Sequence, residues 1–121
     1  MQFVTNKADL FRALTKVKDA VPQRTTIEIL AGFLLELSGN KLTIIGTDLK
    51  VCVKTDLDVT GIKNGSCVID AQKFFSIVKE LPDKVDISIM VDYEKMRAFI
   101  VVGKSKLSLS IMAAEDFPKV E

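Results

Sequence analysis

At 121 residues, with 48% hydrophobic and 27% charged side chains, the chain has the length and composition of one ordinary folded domain. No apolar run approaches the roughly 20 residues a membrane span needs, and the first residues lack the basic-then-apolar order of a secretion signal, so the expectation is a soluble, cytoplasmic protein with no membrane partner. The formal net charge is only +1 and there is no histidine, which removes the commonest general base and the commonest metal ligand.

The charge is unevenly spread. Residues 1–24 carry Lys7, Arg12, Lys16, Lys18 and Arg24 against Asp9 and Asp19, whereas the remainder carries 12 basic and 14 acidic residues. The first helix and its following loop are the basic part of a mildly acidic domain.

Gln2–Thr5 reads as a strand, and Asn6 as a helix cap with Asp9 favourably placed near the positive end of the helix. Leu10, Ala13, Leu14, Val17 and Val21 then share one face at helical spacing, and Pro22 is expected to close the helix. Ala8, Arg12, Thr15, Lys16 and Asp19 face the other way. A polar loop, Gln23–Thr26, carries Arg24. Leu30–Leu37 reads as a buried strand, Ser38–Lys41 as a hairpin turn, and Lys41–Ile45 as the returning strand. Gly46-Thr47-Asp48 predicts a second turn, Leu49–Val59 a long strand, and Gly61–Gly65 a link.

After that link the plan repeats. A displacement of 64 positions lays Val4 on Val68, Asn6 on Asp70, Leu10 on Phe74, Phe11 on Phe75, Leu14 on Val78 and Val17 on Leu81. Ser66–Ile69 is thus a strand and Asp70 a cap, with Ile69 and Phe74 spaced for a hydrophobic staple. The second helix buries Phe74, Ile77, Val78 and Leu81, ends at Pro82, and exposes Gln72, Ser76 and Lys79 with Lys73 at the flank. Three strands follow, Val85–Val91, Met96–Val102 and Lys106–Ile111. Two helices and about eight strands joined by short turns predict an α+β fold of antiparallel sheets with both helices on one face. The polar faces of the helices would then form one exposed surface.

Chemistry is harder to find. Ala98 to Gly103-Lys104-Ser105 matches a relaxed phosphate-loop pattern, which would make the chain a nucleotide-binding enzyme. That chemistry needs a flexible glycine-rich loop and a helix opening at Lys-Ser, whereas strand formers flank this one on both sides. Asp56 and Asp58 share a strand face, but no third metal ligand is evident. Cys52 and Cys67 lie in strand-like runs without ligand spacing and read as small apolar residues. No nucleophile is marked by a base, so no catalytic residue, metal or cofactor is assigned. Arg12, Lys16, Lys79 and Arg24 remain as candidates for phosphate contacts, without interleaved aromatics for base stacking. The same charges could equally be a solvated helix face or part of a generic protein-interaction module.

Several motifs together resemble a known family. They are Ile29-Leu30 with Leu34–Leu37, Lys41 to Gly46-Thr47-Asp48-Leu49, Val68 to Phe75, Leu81-Pro82, Gly103 to Ser110, and Ala113-Ala114-Glu115-Asp116-Phe117-Pro118. In order and over the whole chain they resemble the bacterial DNA polymerase III beta subunit, the sliding clamp, in the first of its three domains. The resemblance implies one clamp domain over 1–121 with two pseudo-symmetric β-α-β-β-β units, sheets outside and helices on the inner face, and with 112–121 beginning a linker. Because the chain stops three residues after Pro118, it reads as an isolated domain or truncated product.

What the family does is then the expectation. Two three-domain chains close into a homodimeric ring around duplex DNA and tether the replicative polymerase, without catalysis, cofactor or metal. The partners implied are double-stranded DNA, the clamp loader and DNA polymerase III subunits. By position, Arg24 matches the family's loop arginine that contacts DNA. Lys7, Arg12 and Lys73 fall near inner-surface positions that are often basic, and Gln72 stands where an arginine is common. Subunit closure would use Lys73, Phe74, Ile77, Leu107 and Leu109. The family's pocket for partner peptides lies between its second and third domains, outside this segment.

Overall fold

The computed structural model describes residues 1–118. Strand β1 (Gln2–Asn6) leads into helix α1 (Lys7–Lys18), then β2 (Gly32–Ser38), β3 (Lys41–Thr47), β4 (Cys52–Asp58) and β5 (Thr60–Lys63). The second unit is β6 (Gly65–Asp70), α2 (Ala71–Glu80), β7 (Asp86–Asp92), β8 (Arg97–Val102) and β9 (Ser105–Met112).

All strand pairs are antiparallel, in the order β4-β3-β2-β6-β9-β8-β7-β1-β5. The doubling seen in the sequence is visible in this order. One half reads β4-β3-β2-β6 and the other β9-β8-β7-β1, so each unit lends its first strand to the sheet of the other. A sequence repeat cannot reveal that exchange, because it is set by pairing between residues far apart, such as Asn6 with Asp86 and Gly32 with Asp70. The halves are joined at Val68–Met112 and Ile69–Ile111. At the other end only Val59 separates β4 from β5, so the ribbon curls round on itself.

The helices cover the inside of this curl. Leu10, Leu14 and Val17 of α1 and Phe74 and Val78 of α2 are fully buried against Phe3, Phe33, Leu35, Ile44, Ile89 and Ile100. Each such side chain contributes about 1.5–3 kcal/mol by leaving water. Ile77 and Leu81, expected in the buried face, are half-buried at its margin.

Several boundaries differ from expectation for identifiable reasons. Helix α1 stops at Lys18, ahead of Pro22, because the amides of Ala20 and Val21 bond three residues back to Val17 and Lys18 and tighten the chain out of the helix. Residues Glu28–Ala31 form a short 3-10 turn before β2 rather than the start of a strand. Strand β3 runs on through Thr47, and the turn falls at Asp48–Val51, with Leu49 at φ 80°.

The expected long strand breaks at Val59, and the expected link contains β5, which pairs with β1 and brings the strands among the described residues to nine. Gly61 sits there because its backbone lies against the Gly39 carbonyl, where a Cβ would overlap the oxygen. In the segment expected to begin a linker at 112, Met112 pairs with Val68 and Phe117 is buried. The segment's last three residues, 119–121, lie outside the described residues.

Candidate nucleic-acid interface

Both helices begin the same way. The Asn6 side-chain oxygen accepts from the Asp9 amide at 2.9 Å, and the Asp70 oxygen accepts from the Lys73 amide at 2.8 Å. The two caps satisfy amides that the first turn leaves without intrahelical partners. The start of α1 lies near the end of α2, since Lys7 Nζ is 3.1 Å from the carboxylate of Asp83. The end of α1, at Lys18 and Asp19, shares a cleft with Asp70, Ala71 and Gln72 at the start of α2. The helices are therefore antiparallel neighbours. Between them the rings of Phe11 and Phe75 lie 5.2 Å apart, and each carries an ammonium group: Lys7 over Phe11 at 5.3 Å, Lys18 over Phe75 at 4.6 Å.

The sequence-expected cations fall into three situations. Arg12, Lys16, Lys73 and Lys79 are exposed, as is Gln72. Arg12 reaches the Asp9 carboxylate at 3.3 Å, but its side chain is 67% accessible, and such an exposed pair is weak and leaves the guanidinium available. Lys7 is engaged elsewhere: only 13% of its side chain is accessible, and it spans from the Phe11 ring to Asp83. It braces the helix pair, and that bracing needed a partner 76 residues away.

Arg24 is exposed in the loop after α1 and lines the cleft at the end of the helix pair, with Lys18, Gln72 and Ser76 on the rim and Phe33 and Phe75 beneath; the cleft encloses about 500 Å³. Lys18 is one of the basic residues of 1–24 that the sequence assigns to no site. The one signal that could have singled it out is the Phe11–Phe75 correspondence in the repeat, which puts an aromatic ring beside the end of α1.

The five residues expected at a subunit joint do not form one exposed patch. Lys73 is exposed, Leu107 is 40% exposed, and Ile77 and Leu109 are half-buried. Phe74 is fully buried in the core and offers no surface to a partner. Strand β9 meets β6 only through Ile111 and Met112, which leaves the edge over 105–110 on that side without a strand partner among the described residues.

The competing chemistries have structural explanations. Gly103 is the left-handed tip of the β8–β9 hairpin, at φ 57°, and Lys104-Ser105 leads into a strand, so no helix amides face a phosphate there. Asp56 accepts a hydrogen bond from the Thr43 hydroxyl across the strands at 2.8 Å. Asp48 builds its turn by accepting from the amides of Lys50 and Val51, and the Val51 bond is the main reason its carboxyl titrates below the usual value. Burial pushes the Cys67 thiol up to about 12, leaving it protonated and unreactive. Among the described residues no group of three or more acidic, cysteine or histidine side chains could hold a metal ion.

A doubled strand–helix–strands plan, with exchanged first strands and two helices packed antiparallel on one face, is a DNA-clamp fold. The chain belongs to the DNA polymerase III beta subunit family: the family described as "DNA polymerase III beta subunit, N-terminal domain" matches residues 1–121. It is similar to the beta sliding clamps of Haemophilus influenzae, 33% identical over 99% of this chain and 32% of that protein, and of Pseudomonas aeruginosa, 34% identical over 100% and 33%. The crystal structure of the DNA polymerase sliding clamp from Caulobacter crescentus superposes with a TM-score of 0.96 at 30% identity, covering 100% of this chain and 33% of that one. A Pseudomonas aeruginosa sliding clamp bound to griselimycin gives 0.94 at 32% identity, covering 100% and 32%. The chain thus spans about a third of the length of these relatives.

Proposed function

We propose that this chain is the first domain of a ring-shaped sliding clamp, a non-catalytic processivity factor that encircles duplex DNA and tethers the replicative DNA polymerase III in the cytoplasm. The observation that carries the reading is the antiparallel helix pair, on which Arg12, Lys16, Lys73 and Lys79 are exposed as the cations of a polar surface, with Arg24 exposed in the loop that follows α1. Such a surface attracts phosphates without reading bases. The attraction is screened by salt, which suits a protein that must slide. The remaining two-thirds of the ring's chain length would come from domains like those that make up the rest of the relatives.

Closure into a homodimer would use the open edge of β9, with Leu107 and Leu109 as apolar contacts, Ile77 beside them and Lys73 at the rim, while Phe74 stays buried in the core. The clamp loader and polymerase subunits would then be partners of the complete ring.

The test is an NMR titration of the labelled chain with duplex DNA of arbitrary sequence at low salt. Shifts confined to α1, α2 and the loop bearing Arg24, reversed by salt and indifferent to sequence, are the expected result. Shifts confined to the outer strands, or none at all, would overturn the reading.

A further inference from the structure

The cleft at the end of the helix pair holds a cation with no assigned role. Resting on the duplex interface proposed above, we propose that Lys18 is a further phosphate-contacting residue of this domain, oriented by the Phe75 ring and acting across the cleft from Arg24.

Lys18 ends α1 and is exposed, and its ammonium stands 4.6 Å from the centre of the Phe75 ring. A lysine free in solvent loses much rotamer freedom when it binds. One already resting on an aromatic face loses less, and its remaining N–H donors stay free for a phosphate oxygen. The other lysine resting on a ring of this pair, Lys7 over Phe11 at the opposite end of α1, cannot act in this way because it is also bound to Asp83. Neither of the two ion pairs among the described residues involves Lys18.

Arg24, Gln72 and Ser76 complete a rim of donors around the same cleft. Asp19 and Asp70 also line it, so its charge balances near neutral, and one oxygen of Asp70 is committed to the Lys73 amide. The acids make the cleft a weak, salt-sensitive stop for a phosphate rather than a tight anion site. The apolar floor of Phe33 and Phe75 excludes water beneath the ammonium without competing for the phosphate.

The experiment measures duplex affinity of the 121-residue chain by NMR across a series of low salt concentrations, for the wild type, Lys18→Gln, Lys18→Arg and Arg24→Ala. Loss of one phosphate contact flattens the slope of log K against log salt by about one. Lys18→Gln is expected to do this with an unchanged thermal midpoint, and Lys18→Arg to keep the wild-type slope. If Lys18→Gln leaves the slope unchanged while Arg24→Ala lowers it, Lys18 merely packs on Phe75; this proposal falls and the duplex interface stands. If the wild-type chain shows no shift on either helix at the lowest salt, the duplex interface falls and Lys18 with it.

Discussion

The rings of Phe11 and Phe75 meet with their centres 5.2 Å apart and their planes tilted by 33°, and the two residues are separated by the displacement that carries Asn6 onto Asp70. The pseudo-twofold axis of the domain therefore passes between two copies of one aromatic position. The contact fixes the separation of the helices and with it the spacing of the cations on their outward faces. Aromatic pairs of this geometry contribute about 0.5–1.5 kcal/mol beyond the area they bury. A double-mutant cycle with Phe11→Leu and Phe75→Leu should give a coupling energy of about 1 kcal/mol in urea unfolding. Additive single effects would show that the rings merely share a surface.

What could be read from the chain alone was what local chemistry decides. Asn6 and Asp70 announce their helices because a cap acts within three residues, and both cap as expected. The hairpins at Gly39-Asn40 and at Gly103 follow from left-handed turn geometry. Other features depend on distant partners. Gly61 looked like a linker glycine, but it is there for the Gly39 carbonyl, which approaches from another hairpin. Lys7 looked like a free cation until Asp83 was placed beside it. Phe74 reads as a core residue of the second helix that the resemblance also places at a subunit joint, and it is fully buried.

The turn after β3 predicts an acid-sensitive increment of stability. Asp48 accepts amide bonds from Val51 and Lys50, and its folded pKa lies below the ordinary 3.8. A carboxyl whose pKa is depressed by folding stabilises fully above its unfolded pKa, and the gain is lost as pH falls through the folded value. Asp48→Asn keeps an oxygen acceptor but does not titrate. The variant's urea midpoint should therefore fall less than the wild type's between neutral pH and pH values below 3.8. An equal fall in both proteins would remove Asp48 from the acid response.

The two cysteines should differ sharply toward an alkylating reagent. Cys52 is exposed, whereas Cys67 is buried in the core with its thiol pushed up to about 12. The thiolate is the reacting species, so burial protects Cys67 twice, by access and by protonation. Iodoacetamide at neutral pH should add one group to the native chain, at Cys52, and a second only in denaturant. Native labelling of Cys67 on the same timescale as Cys52 would mean that β6 opens far more readily than its central place in the sheet implies.

Thr5 should be a place where the chain can be stabilised by a single atom exchange. Its residue is 6% exposed, it lies opposite Ile87 in the β1–β7 pair, and its hydroxyl has no hydrogen-bond partner among the described residues. A buried hydroxyl left unsatisfied costs about 1–3 kcal/mol, whereas a methyl of nearly the same volume carries no such penalty. Valine also suits the extended backbone of β1 as well as threonine does. Thr5→Val should raise the unfolding free energy by about 1 kcal/mol and Tm by about 4 °C, measured by urea and thermal melts. Thr5→Ser keeps the hydroxyl and removes the methyl, so it should lose stability through the cavity alone. If Thr5→Val were neutral or destabilising, the hydroxyl would be satisfied in solution, and the strand exchange that brings β1 beside β7 would carry no polar cost at this position.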